Sequence, residues 1–168
     1  MSWIVPISSF LEVLLLLYVA TMDVATRLIR NEICLALALL GIAGQVADPA
    51  QMIQSVIVAA LLLLLLFVVY TRGFMGGGDV KLLVALAAGL PLTGVIQLLA
   101  VTALAGGVLA LLHLVLRLLP APRLAPAGSS LVRRVYAVER WRHLRHAGLP
   151  YGVAIAFGGI WTILSRGF

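Results

Sequence analysis

Between Met52 and Tyr70 the chain carries no charged residue, and the middle of that stretch is the leucine run Leu61–Leu66. Such a segment suits a helix crossing a hydrocarbon layer, which needs roughly 20 predominantly apolar residues. The rest of the chain has the same character. Across all 168 residues 63% are hydrophobic and 11% charged, where soluble domains show roughly 45–50% and about 25%. A soluble fold of this size cannot hide so much apolar surface, and a disordered chain has the opposite bias. The fold class expected is an all-α polytopic membrane protein, one membrane-embedded domain over residues 1–168.

Apolar runs and their breaks give six expected spans: Ile4–Met22, Ile33–Ala47, Met52–Tyr70, Val80–Leu90, Gly94–Leu119 and Tyr151–Leu164. The second, fourth and sixth are short, which leaves four or five spans open as a count. Met1–Phe10 has no Lys or Arg, unlike a cleaved signal, so the first segment reads as a retained helix. Asp48-Pro49 and Arg72–Gly78 are read as breaks between spans, and Pro91 as the end of the fourth.

The basic residues test this count. With the N-terminus outside, eleven of the 12 Lys and Arg fall on the inner side: Arg27, Arg30, Arg72, Lys81, Arg117, Arg123, Arg133, Arg134, Arg140, Arg142 and Arg145. Only Arg166 is left outside. Cytoplasmic loops carry such an excess, so the expected topology has both termini outside and three loops inside. The net charge of +6 then needs no nucleic acid partner. The inner segment Pro120–Leu149 is expected to hold a basic helix from Ser129 or Ser130 to His146, resting on the anionic leaflet. His143 and His146 lack carboxylate or thiol companions, so no metal site is expected. Cys34 is the only cysteine, which excludes a disulfide within the chain. Small residues inside spans, among them Gly41, Gly44, Gly106, Gly107, Gly158 and Gly159, are explained by close helix packing.

There are 6 acidic residues. Asp48 and Glu139 read as solvated, and Glu32 as a partner for nearby arginines. Glu12 lies within the first span, where it could meet polar substrate groups, but a buried hydrogen bond in the bundle is the favoured reading. Asp23 and Asp79 are 56 residues apart, yet the topology places both at one membrane depth: the first span descends to Asp23 and the fourth starts upward from Asp79. An ionisable group there needs a partner or a watery pocket, and function is the default reading; two loops facing cytoplasmic water are the structural alternative. Before Asp79 stand Gly76, Gly77 and Gly78. Glycine allows positive φ and close backbone approach, and an extended strand there could pair with a peptide. The structural alternative is an N-cap role for Asp79 after a flexible turn. A phosphate loop is disfavoured, since the Gly-Lys-Ser/Thr ending is missing.

Two neighbouring carboxylates cannot both ionise readily, so they share a proton. The ionised one can take a proton from water while the other donates to a scissile carbonyl oxygen. Paired membrane carboxylates can instead relay protons or bind cations in a transporter. A Ser/His/Asp arrangement has no support around His113, His143 or His146.

These residues resemble a known family. Gly76-Gly77-Gly78-Asp79 ahead of a membrane helix is similar to the Gly-Xaa-Gly-Asp signature of the intramembrane-type aspartic proteases. The continuation Val80-Lys81 narrows the resemblance to the prepilin peptidases, or type IV leader peptidases. Asp23 with Arg27, Ile29 and Asn31 looks like that family's first aspartate segment, and Pro150-Tyr151-Gly152 with Ile155 like its closing motif. Arg30 stands where the family has proline. The resemblance implies that Asp23 and Asp79 are the catalytic pair, that Gly76, Gly77 and Gly78 shape the loop, and that Arg27, Asn31 and Tyr151 line or stabilise the site. Lys81 is a family position, but two residues on from Asp79 it points elsewhere on a helix, and a snorkelling anchor explains it as well. The large members' N-terminal region with Cys-Xaa-Xaa-Cys sites, associated with methylation, is missing, so the chain looks like the short peptidase-only form of tight-adherence (Tad) pilus systems. The resemblance thus implies a bacterial inner-membrane endopeptidase acting on prepilin or pseudopilin leaders, without cofactor or metal. The alternative is an ion-coupled transporter or an assembly component of a pilus or secretion machine. Oligomeric state is left open.

Overall fold

The computed structural model describes residues 4–118 and 149–166. The expected basic inner helix, with His143 and His146, lies outside the described residues. Six helices are found among those residues: α1 (Ile4–Thr26), α2 (Asn31–Ala43), α3 (Pro49–Thr71), α4 (Gly77–Ala87), α5 (Leu92–Leu118) and α6 (Tyr151–Ser165). No strand occurs among the described residues. Three helices, α1, α3 and α5, are long and apolar enough to cross a membrane. With 13, 11 and 15 residues, α2, α4 and α6 are shorter than a full bilayer crossing requires.

The chain divides into two compact units, one of residues 1–106 and 150–168, the other of residues 107–149. In the first, α1 packs on α2 and α6, while α4 packs on α2, α3 and α6. The short helix α4 is therefore at the centre, and Val80, Leu82, Leu83, Ala85, Leu86 and Ala87 are all buried. By contrast α3 buries Ser55, Ala59, Leu62 and Leu66, whereas Leu61, Leu64 and Leu65 are each more than 60% exposed. In water this would be an aggregation hazard; in lipid it is the ordinary outer face of a span.

Small residues set the closest approaches. Gly41 of α2 and Gly89, just beyond α4, meet backbone to backbone: a Cβ on Gly41 would stand 2.7 Å from the Gly89 Cα. Gly158 of α6 leaves no room for a Cβ against Thr102 of α5, and Gly159 faces Leu16 and Leu86. Among the described residues nothing lies within 4 Å of a Cβ placed on Gly107.

Element boundaries depart from the sequence expectation in two informative places. Helix α3 begins at Pro49, not Met52, because Asp48 caps it by accepting from the Gln51 amide at 3.1 Å and proline suits the first helical position. Asp48 is thus a cap and not merely a solvated loop residue. Helix α2 ends at Ala43, not Ala47, and Gln45 turns inward. Its amide donates to the carbonyls of Gly41 and Ala88, and Ser55 Oγ donates to its Oε1 at 2.8 Å.

Candidate functional site

Asp23 occupies the last turn of α1 and is 5% exposed. Its carboxyl group lies against Gly152, the second residue of α6; a Cβ there would stand 2.8 Å from Oδ2 and 3.1 Å from the aspartate's own Cβ. The amides of Gly152 and Val153 are within electrostatic reach, although Oδ2 has no hydrogen-bond partner among the described residues. Helix α6 begins after Pro150, which supplies no side-chain cap. The first amides of a helix have no intrahelical acceptor and carry partial positive charge, so Asp23 sits where a cap would otherwise bind.

Asp79 is the third residue of α4, behind the N-cap Gly76. Its Oδ2 folds back to 3.0 Å from where a Cβ on Gly76 would be. This is the direction in which a third-position carboxylate reaches the N-cap amide. Gly77 and Gly78 are already helical and Gly76 has φ −70°. The expected extended glycine strand is therefore not present at 77–78, nor does Asp79 serve as the cap. The glycines act through space: a Cβ on Gly77 would meet the Tyr70 ring at 3.3 Å and one on Gly78 would meet Ile29 at 3.3 Å. A helix can start here because its first turn needs no side-chain volume, and that start aims Asp79 inward.

The two carboxyl groups are close enough to repel each other. Tyr151 feels the charge of Asp79, and its ring packs against Gly106 of α5, where a Cβ would be 2.6 Å from a ring carbon. Two helix N-termini, of α4 and α6, thus converge on two carboxylates and offset their repulsion. Arg27 adds a positive charge acting on Asp23.

Lys81 and Asn31 are joined to each other. Lys81 Nζ donates to Asn31 Oδ1 at 3.0 Å, an exposed bond that ties α4 to the start of α2. Lys81 therefore has a protein partner in place of a purely lipid-surface role. Arg30 and Glu32 form an exposed ion pair at 3.2 Å. Glu12 lies at the other end of the unit, sharing a cavity of about 230 Å³ with Arg166.

Gly152 and Gly106 were not singled out as site residues from the sequence. Gly152 stands inside the Pro150–Ile155 motif, and the available signal was a glycine at the second position of a helix, where it gives no capping advantage. Among the described residues no cluster of His, Cys, Asp and Glu could hold a metal ion.

The type IV leader peptidase family model matches residues 10–111, more than half of the chain. The chain belongs to the type IV leader peptidase family. It is accordingly a protease, and its apolar helices make it a membrane protein. The match spans Asp23, Arg27, Asn31, the three glycines, Asp79 and Lys81, while Tyr151 and Gly152 lie beyond it. No curated protein and no solved structure matches the chain.

Proposed function

We propose that this leader peptidase is an aspartic endopeptidase in which Asp23 and Asp79 share one proton and activate one water. The observation that supports the reading is that Asp23, packed against Gly152 at the N-terminus of α6, and Asp79, in the first turn of α4, are close enough for their charges to act on each other. In the reaction the ionised carboxylate removes a proton from water as the oxygen attacks the scissile carbonyl carbon. The protonated partner donates to the carbonyl oxygen; on collapse of the tetrahedral intermediate the carboxyl that took water's proton gives it to the departing amine, and the other recovers the hydroxyl proton, restoring the pair. The resting proton belongs to the pair.

The substrates are prepilins or pseudopilins of the tight-adherence type, cut at the inner face of the bacterial cytoplasmic membrane, where the basic leader stays in water. Six spans with both termini outside would put Asp23 and Asp79 at that face; the distribution of Lys and Arg supports this topology. The test is processing of a co-expressed prepilin by wild type, Asp23→Asn and Asp79→Asn. Loss of the cleaved product in both variants, with normal membrane insertion, supports the reading. Equal processing by all three contradicts it and favours a transport or assembly role.

A further inference from the structure

Arg27 carries two unfavourable features at once. Its φ is 59°, and it is the one non-glycine residue with positive φ among the described residues. A helix that ends in the left-handed region normally does so on glycine or asparagine, since a Cβ is strained there. The backbone is held by local bonds: the Arg27 amide donates to the Asp23 carbonyl at 3.0 Å, and Thr26 Oγ1 donates to the Met22 carbonyl at 2.9 Å. Its side chain is no easier to accommodate. Nε and Nη1 are both buried without a hydrogen-bond partner among the described residues. The ion pair within 4 Å there is Arg30–Glu32, not one to Arg27. Strain and unmet donors at a residue beside the reacting groups point from structure to function.

A guanidinium only donates, so whatever completes it must offer acceptors. Asp23 and Asp79 already bring negative charge to this spot, and a third anion would be repelled. An extended peptide laid across the two aspartates offers neutral carbonyl oxygens.

We propose that Arg27 is a substrate-binding residue whose guanidinium donates hydrogen bonds to backbone carbonyl oxygens of the peptide flanking the scissile bond. This rests on the peptidase reading. The contact is made alike in the bound substrate and the transition state, so its loss acts on KM and not on kcat. Hydrogen bonds to a charged donor correspond to about a 10- to 100-fold change in affinity.

The experiment compares full-length Arg27→Gly, Arg27→Gln and Arg27→Lys with wild type in liposomes, using a purified prepilin. Arg27→Gly is expected to keep or raise Tm, since glycine relieves the left-handed turn, while KM rises about 10- to 100-fold. Its kcat should stay within about threefold, with Arg27→Lys, which keeps the positive charge near Asp23, intermediate in KM. Peptide binding measured in an Asp79→Asn background should weaken to the same extent. A wild-type KM in Arg27→Gly, or a fall in kcat with a displaced pH profile and unchanged KM, overturns the proposal; the latter result would mean that Arg27 acts through Asp23. Should Arg27→Gly fail to fold, Arg27→Gln decides by the same criteria. Processing that survives Asp23→Asn and Asp79→Asn removes the peptidase reading itself; processing lost there with normal KM in the Arg27 variants removes only this inference.

Discussion

At one end of the first unit Glu12 and Arg166 share the wall of a cavity; at the other the charges of Asp23 and Asp79 act on each other. Both ends contain carboxylate, arginine and tightly packed glycine, but their polar groups are matched differently. At the Glu12 end opposite charges face each other, Arg166 Nη1 also reaches the Gly89 carbonyl at 3.4 Å, and Gln45 and Ser55 satisfy one another. At the Asp23 end two like charges act on each other, and Asp23 Oδ2, Arg27 Nε and Arg27 Nη1 have no hydrogen-bond partner among the described residues. Buried polar groups in proteins are nearly always bonded. Unmet hydrogen-bonding capacity beside like charges, rather than polarity as such, therefore marks the end at which the reaction is proposed.

The sharpest way to break this contrast is to neutralise carboxylates at both ends. Asp23→Asn and Asp79→Asn should each lower leader cleavage by about 10²–10⁴-fold, the range for a lost general acid or base, with insertion intact. Glu12→Gln should leave cleavage near wild type; comparable losses in an immunoblot for processed pilin would erase the distinction.

Gly152→Ala comes next. The added methyl would overlap the Asp23 carboxyl group, so a fall in kcat of about 100-fold is expected, with a stability loss of about 1–3 kcal/mol from overpacking. Single-turnover cleavage and thermal unfolding in detergent measure the two effects separately. Gly41→Ala and Gly89→Ala should invert that ratio. Each forces α2 and the end of α4 apart, for about 1–3 kcal/mol of stability, while kcat per folded molecule stays within about threefold of wild type. The smaller effect is at the exposed Lys81–Asn31 bond: Asn31→Ala should lose about 0.5–1.5 kcal/mol and leave KM unchanged. Glu32→Gln, which breaks only the exposed pair with Arg30, should alter neither cleavage nor unfolding.

Much of this contrast is readable in the residues themselves. Asp23 and Asp79 stand out because the chain has 6 acidic residues and two of them fall at one expected membrane depth. The apolar runs foretell α1, α3 and α5 because a bilayer crossing demands length, and length survives small errors of boundary. The starts of α3 and α4 were less legible. Asp48-Pro49 and Gly76–Gly78 look like breaks, yet each opens a helix, because helix N-termini use those same residue types. Gly152 stands in the closing motif, but its role against Asp23 is not legible there. With 16 glycines in the chain, nothing local tells which one supports an aspartate from another helix. The left-handed turn at Arg27 is likewise set by tertiary structure, since an arginine by itself gives no sign of positive φ.

The most direct test is a distance between α1 and α4. In a Cys34→Ala background, Asp23→Cys and Asp79→Cys combined should be joined in membranes by a short bifunctional thiol reagent, as should the control pair Asn31→Cys with Lys81→Cys. Cross-linking of both pairs is the expected result. Cross-linking of the control alone would mean that residues 23 and 79 do not meet, and the two-carboxylate account would be wrong.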